Sequence, residues 1–78
     1  MDNENDKDIK RKVYFYKREK QVVHVKLKSD RFYNGVISEM TDNDFVIEDK
    51  VIGRVLVFYG EVIKIEPYER DNKKEVVK

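Results

Sequence analysis

The stretch VHVKLKSDRFYNG, Val23 to Gly35, decides the fold. Val23, Val25 and Leu27 alternate with His24, Lys26 and Lys28, and a period of two turns one face of an extended strand toward a core and the other toward water. Ser29 and Asp30 predict a tight hairpin turn, because short polar side chains of this kind satisfy turn backbone locally. A second strand is expected from Arg31 to about Met40, with Gly35 in its interior. A missing side chain weakens a strand unless the sheet bends there, so Gly35 predicts a sharp bend.

Toward the C-terminus, Thr41 to Asp44 is a polar turn and Phe45 to Glu48 a short third strand. Asp49 and Lys50 turn the chain into a fourth strand, from about Ile52 to Phe58, whose two alternating sets, Leu56 with Phe58 and Val55 with Val57, are both apolar. Such a strand needs cover on both faces. Tyr59 and Gly60 predict another tight turn, the glycine supplying a positive φ, and a fifth strand, Val62 to Ile65, ends at Pro67. Toward the N-terminus, Ile9, Val13 and Tyr16 fall at i, i+4 and i+7 between Asp8 and Lys20. That spacing predicts a short amphipathic helix with Asp8 as cap or first-turn acid, while the aromatic run VYFY offers a strand as the competing reading. Residues 1–7 and 71–78 are polar, charged and aperiodic, and are expected to be disordered tails around a domain at 8–70.

The expected fold is therefore mainly β: a short N-terminal helix, then a five-stranded, strongly bent antiparallel sheet forming a small open barrel. Its last two strands become edges. An edge rich in Leu, Val, Ile and Phe invites aggregation unless another strand pairs with it, and head-to-tail pairing of one copy's fourth strand with the next copy's fifth closes into a ring.

Length and composition agree. A chain of 78 residues buries only roughly 60% of its unfolded surface, and with no Cys and one His it has neither disulfides nor a zinc or iron–sulfur ligand set. Association is the natural source of the missing stability. The first eight residues are polar and acidic and no apolar run approaches the ~20 residues of a membrane span, so the expectation is a cytoplasmic protein without a membrane partner. The net charge of +1 hides an uneven layout. Lys7 to Arg31 carries ten basic and three acidic residues, leaving +7, whereas Phe32 to Gly60 carries two basic and five acidic, leaving −3. A basic third on a small β domain suits a phosphate-backbone partner; a solvated face on a Lys-rich protein is the plainer explanation.

These residues resemble the Sm-like (LSm/Hfq) family, and the Hfq branch in particular. VHVKLKSDRFYNG is similar to the family's first motif, V-x-V-x-L-K-x-G-R with a bend glycine four residues on, and departs from it in Asp30, which replaces the turn glycine. Lys17, Arg18 and Lys20 around Glu19 resemble the basic R-R-E-R patch that leads from the Hfq helix into its first strand. VLVFYGEVIKIEP, Val55 to Pro67, has the spacing of the second Hfq motif, but its turn is Tyr59-Gly60 instead of K-H or R-G, so the turn cation is missing. The likeness spans about Asp8 to Pro67 and consists of hydrophobic pattern and glycine positions, which speak more of fold than of function.

What the resemblance implies is a homo-oligomeric ring of roughly five to seven subunits that binds single-stranded, U-rich or A-rich RNA, as an RNA chaperone. Stacking side chains and phosphate-tracking cations hold such strands. In a ring the loop after strand two and the turn after strand four converge on the pore. There Asp42, Asn43, Phe45, Tyr59 and Gly60 are the candidate RNA-binding residues: Asn43 for base edges, Tyr59 for stacking, Gly60 for close approach. Lys17, Arg18 and Lys20 would form a basic outer rim. Each has a plainer alternative: Tyr59 packing at an interface, Phe45 in the core, Asn43 as a turn former, and the rim as a solvated helix end.

Nothing points to catalysis. His24 has no nucleophile beside it in the sequence pattern and is expected as an exposed strand residue or cross-strand partner. Asp42 and Asp44, two apart in a turn, lack any sign of a cleft, and there is no phosphate-cradling glycine loop. No cofactor or metal is expected. The rivals to an RNA-binding ring are a protein-assembly module on the same barrel and a monomeric barrel of SH3 or Tudor type.

Overall fold

The computed structural model describes residues 2–68, with side chains from residue 7 onward; the expected C-terminal tail at 71–78 lies outside the described residues. Helix α1 spans Asp2–Glu19, and strands β1 (Val22–Leu27), β2 (Phe32–Met40), β3 (Asp44–Asp49), β4 (Gly53–Phe58) and β5 (Val62–Pro67) follow, with a 3-10 turn at Tyr59–Glu61. The run VYFY is helical, which decides between its two readings. The helix also begins at Asp2, inside the stretch expected to be a tail, and is longer than the short element its apolar spacing marks out. Its buried positions are nonetheless the expected ones: Ile9 and Val13 are buried and Tyr16 packs beside them.

The C-terminus of α1 closes with two bonds, Gln21 N–H to the Tyr16 carbonyl (3.1 Å) and Lys20 N–H to the Lys17 carbonyl (3.2 Å), around Lys20 at φ 54°. This is a Schellman cap with lysine at the left-handed position where glycine is usual. It turns the chain out of the helix and into β1 within two residues.

The sheet is open and antiparallel in the order β4-β3-β2-β1-β5, so β4 and β5 are its edges, as the expected barrel requires. β1 alternates strictly, Val23, Val25 and Leu27 buried and the residues between them half-exposed. The β1–β2 hairpin is one residue longer than expected. Leu27 N–H donates to the Arg31 carbonyl (2.8 Å) across the loop Lys28-Ser29-Asp30, with Asp30 at φ 73°. Asp30 thus adopts the left-handed conformation that a glycine would supply at this step.

Curvature has local causes. The register slips between Ile37 and Glu39 on β2 and between Lys26 and Leu27 on β1, and such bulges bend and twist a ladder. At Gly35, paired with Val23 on one side and Asp49 on the other, a Cβ would overlap the Glu48 carbonyl. The glycine lets the β3 backbone approach, and the register slip on β2 falls just beyond it, between Ile37 and Glu39. The positive-φ glycine is Gly53, which opens β4, and not Gly60. Gly60 lies within a 3-10 turn, where no left-handed residue is needed.

Inside the bent sheet the core joins Val23, Val25, Ile37, Phe45, Ile47, Val57, Tyr59, Val62 and Ile65 to Ile9 and Val13 of α1, which packs against β2, β5 and the Tyr59–Glu61 turn. Outside it, Arg54 spans three strands, bonding Glu48 of β3 (3.0 Å) and Glu39 of β2 (3.1 Å). Both carboxylates hold its guanidinium charge more firmly, Glu39 contributing most.

Candidate functional site

The loop between β2 and β3 is built by Thr41. Its hydroxyl accepts from the N–H groups of Asn43 (3.1 Å) and Asp44 (3.2 Å) and donates to the Asp44 carboxylate (2.8 Å), and the Thr41 N–H reaches the Asp44 carbonyl (2.8 Å). Thr and Asp at these positions replace solvent as partners for turn backbone. The result is a small rigid loop that leaves the side chains of Asp42 and Asn43 exposed.

Tyr59 clamps this loop from the other side. Its N–H donates to the Asn43 carbonyl (3.3 Å) and its hydroxyl to the Thr41 carbonyl (2.7 Å), while its ring lies tilted on Phe45 at 5.5 Å between centroids. Burial, with the charges of Asp44 and Asp42 adding to it, pushes the phenol up to about 12. The hydroxyl therefore stays a donor across the physiological range.

The two aromatic candidates, Phe45 and Tyr59, do not present themselves for stacking. Phe45 is 0% exposed: it points into the core from β3, paired with Val57 on β4, and is a core residue, not a base platform. Tyr59 is 4% exposed, with Phe45 against its ring and the Lys10 ammonium 5.6 Å from its centroid. Tyr59 positions the loop and lines the site, but offers no open aromatic face.

The structure does bring Asp42, Asn43, Tyr59 and Gly60 together. They line a hollow of about 170 Å³ completed by Lys7 and Lys10 of α1. It is smaller than the ~300–1,000 Å³ of small-molecule pockets and suits one flat base edge or one phosphate group. Lys10 Nζ lies 3.9 Å from an Asp42 carboxylate oxygen. Lys7 and Lys10 also border a wider, open groove of about 400 Å³ with Arg11, Tyr14 and Met40.

Lys17, Arg18 and Lys20 stand apart from this hollow. They occupy the last turn of α1 and its cap, about 12 Å along the helix axis from Lys10 at 1.5 Å per residue. Lys17 is half-buried and the other two exposed; Arg18 lies 5.9 Å from the Tyr14 ring and makes a marginal 4.0 Å contact with Glu19.

The sequence reading missed Lys7 and Lys10. A helical projection carried the signal, since Lys10 directly follows the buried Ile9 and so borders the core-facing stripe, but a helix started at Asp8 assigns Lys7 to a tail. His24 is a cross-strand partner, as one of its two readings had it: it opposes Asn34, with Nδ1 and the Asn34 amide oxygen 2.6 Å apart. Phe32 and Tyr68 flank it at 5.4 and 6.4 Å. Among the described residues, no three His, Cys, Asp or Glu side chains are grouped to hold a metal, and no helix is long and apolar enough to cross a membrane.

No protein-family model matches the chain, and no curated protein does. Solved structures do. A crystal structure of the pleiotropic translational regulator Hfq superposes with a TM-score of 0.64 at 14% identity, covering 72% of this chain and 92% of that one. An Hfq protein from Anabaena sp. superposes with a TM-score of 0.63 at 14% identity, covering 74% and 92%. A helix followed by a bent, open five-stranded sheet in this order is the Hfq-type Sm-like fold, and this chain has it.

Proposed function

We propose that the protein is an Sm-like homo-oligomeric ring of the cytoplasm that binds single-stranded RNA and works without catalysis or cofactor. The observation that carries the reading is that β4 and β5 are the edges of the sheet, each with a single strand neighbour among the described residues. Leu56 and Phe58 on β4 and Ile63 on β5 are 55%, 52% and 51% exposed. Pairing of β4 with β5 of the next copy removes both edges and covers these side chains. A ring so formed repeats the hollow at Asn43 and Gly60 around one axis, and weak sites held together bind a flexible strand with avidity. Asn43 offers amide groups to base edges, Gly60 leaves room beside them, and Lys17, Arg18 and Lys20 track phosphates at the rim.

Light scattering after size exclusion, on protein freed of nucleic acid, is expected to give a closed oligomer. Fluorescence anisotropy with labelled oligo-U and oligo-A is expected to show binding that weakens steeply with salt. A stable monomer at high concentration, with neither oligonucleotide bound at low salt, refutes the reading.

The burial of Phe45 and Tyr59 favours one alternative, a protein-assembly module on the same barrel. Arg18→Glu with Lys20→Glu separates the two: RNA affinity collapses under the first reading, and partner association persists under the second.

A further inference from the structure

We propose that Lys10 of α1 supplies the phosphate-binding cation that the turn after β4 lacks, and that Asp42 is its built-in competitor. The inference rests on the ring reading above and assigns the chemistry of its inner site.

That turn reads Tyr59-Gly60-Glu61, and the two of its residues that line the hollow, Tyr59 and Gly60, bring no cation to it. Lys10 crosses from the helix to fill the gap. Its ammonium sits 5.6 Å from the Tyr59 ring centroid, and Tyr59 is itself held by its two bonds to the β2–β3 loop. A cation over a fixed, electron-rich ring is attracted to it without forming a directional bond. The position of Lys10 therefore follows from Tyr59, and its ammonium retains hydrogen-bonding capacity.

The counter-ion is exchangeable. Lys10 and Asp42 approach to 3.9 Å with 41% and 100% of their side chains exposed, and an open ion pair of this length is weakly held against solvent. A phosphate oxygen offers the same charge from a strand anchored elsewhere on the ring, and can take Asp42's place. Asp42 lines the hollow beside Lys7 and Lys10, and Asp44 is close enough to act on Tyr59, so the hollow starts close to neutral. RNA must displace a carboxylate before it gains the cation, which lowers affinity and leaves it tunable.

The test uses the full chain, labelled oligo-U and oligo-A, and a salt series. Lys10→Met keeps most of the apolar stem over Tyr59 and removes only the charge. It is expected to weaken binding several-fold and to flatten the plot of log affinity against log salt by about 0.7 for each phosphate left without its cation. Lys10→Arg restores both. Asp42→Asn is expected to tighten binding several-fold, and to have no effect once Lys10 is methionine. A purely structural Lys10 predicts neither the change in slope nor the gain from Asp42→Asn. A wild-type protein that binds RNA but is indifferent to Lys10→Met and Asp42→Asn overturns this inference and leaves the ring reading intact; a wild-type protein that binds neither oligonucleotide overturns both.

Discussion

The Tyr59 hydroxyl donates a 2.7 Å hydrogen bond to the Thr41 carbonyl, joining the turn that opens β5 to the loop that opens β3. The two segments are far apart in sequence and both line one hollow, through Asp42 and Asn43 and through Tyr59 and Gly60. Tyr59→Phe keeps the ring against Phe45 and orphans the Thr41 carbonyl. Loss of a single such bond costs about 1 kcal/mol, read as a lower chemical-denaturation midpoint with unchanged slope. The same change alters the alkaline limb. The folded phenol titrates at about 12 against an ordinary 10.0, so the folded state holds this proton more tightly than the unfolded chain. Its contribution is complete below pH 10 and is lost as pH rises toward 12, and Tyr59→Phe is expected to lose less stability across that window than wild type.

Gly35 and Glu48 make a different kind of contact, one defined by an absent side chain. A Cβ at Gly35 overlaps the Glu48 carbonyl and comes within 3.0 Å of the Asp49 Cα, and both obstacles are backbone. No rotamer change relieves them, so β2 and β3 must separate at the bend. Gly35→Ala is expected to cost about 3 kcal/mol or more, at the upper end for overpacking. Thermal melts followed by circular dichroism will show this, and a melting temperature equal to wild type would mean the sheet bends by other means.

Period-two alternation in β1 and the apolar steps at Ile9 and Val13 were enough to read the helix, the succession of antiparallel strands and the two edges from the chain, because each pattern records which face is buried. The inner site was less legible. Phe45 and Tyr59 carry ring chemistry that serves core and base stacking equally well, and only the direction of the side chain from its strand decides between them. Lys10 joins the hollow through a helix-to-loop contact across about thirty positions, which no local spacing encodes. Gly53 and Asp30, not Gly60, hold positive φ, since the Tyr59–Glu61 segment closes as a 3-10 turn.

Asp49 ties the β3–β4 turn to β2. One carboxylate oxygen accepts from the N–H groups of Val51 (2.7 Å) and Ile52 (3.0 Å), and the other from Asn34 N–H (2.9 Å). The Ile52 bond, then that of Asn34, lowers its pKa below 3.8, Val51 adding to them and partial burial opposing. A depressed carboxylate stabilises the fold above the unfolded value and loses that contribution as pH falls through the folded one. Asp49→Ala is expected to cost about 1–2 kcal/mol at neutral pH, allowing for screening at a half-exposed site. Its stability should also fall less than wild type's as pH drops through and below the ordinary carboxylate range. Asp49→Asn, which keeps one acceptor for the turn but turns an amide N–H toward Asn34 N–H, should fall between the two at neutral pH.

Leu56 and Ile63 test the edges directly. Each is more than half exposed in the single chain, so a charged replacement removes little packing within the subunit, and surface changes of this kind stay within about 0.5 kcal/mol. In the proposed ring the same positions would be covered by the next copy, where an unpaired charge is strongly unfavourable. Leu56→Lys and Ile63→Lys are therefore expected to yield folded subunits with a near-native circular dichroism spectrum that elute at monomer mass. RNA affinity should drop with the oligomer, because a lone hollow has no neighbours to share a strand. Variants that stay assembled would place the subunit contact away from β4 and β5, and the convergence of loops on a common pore would lose its basis.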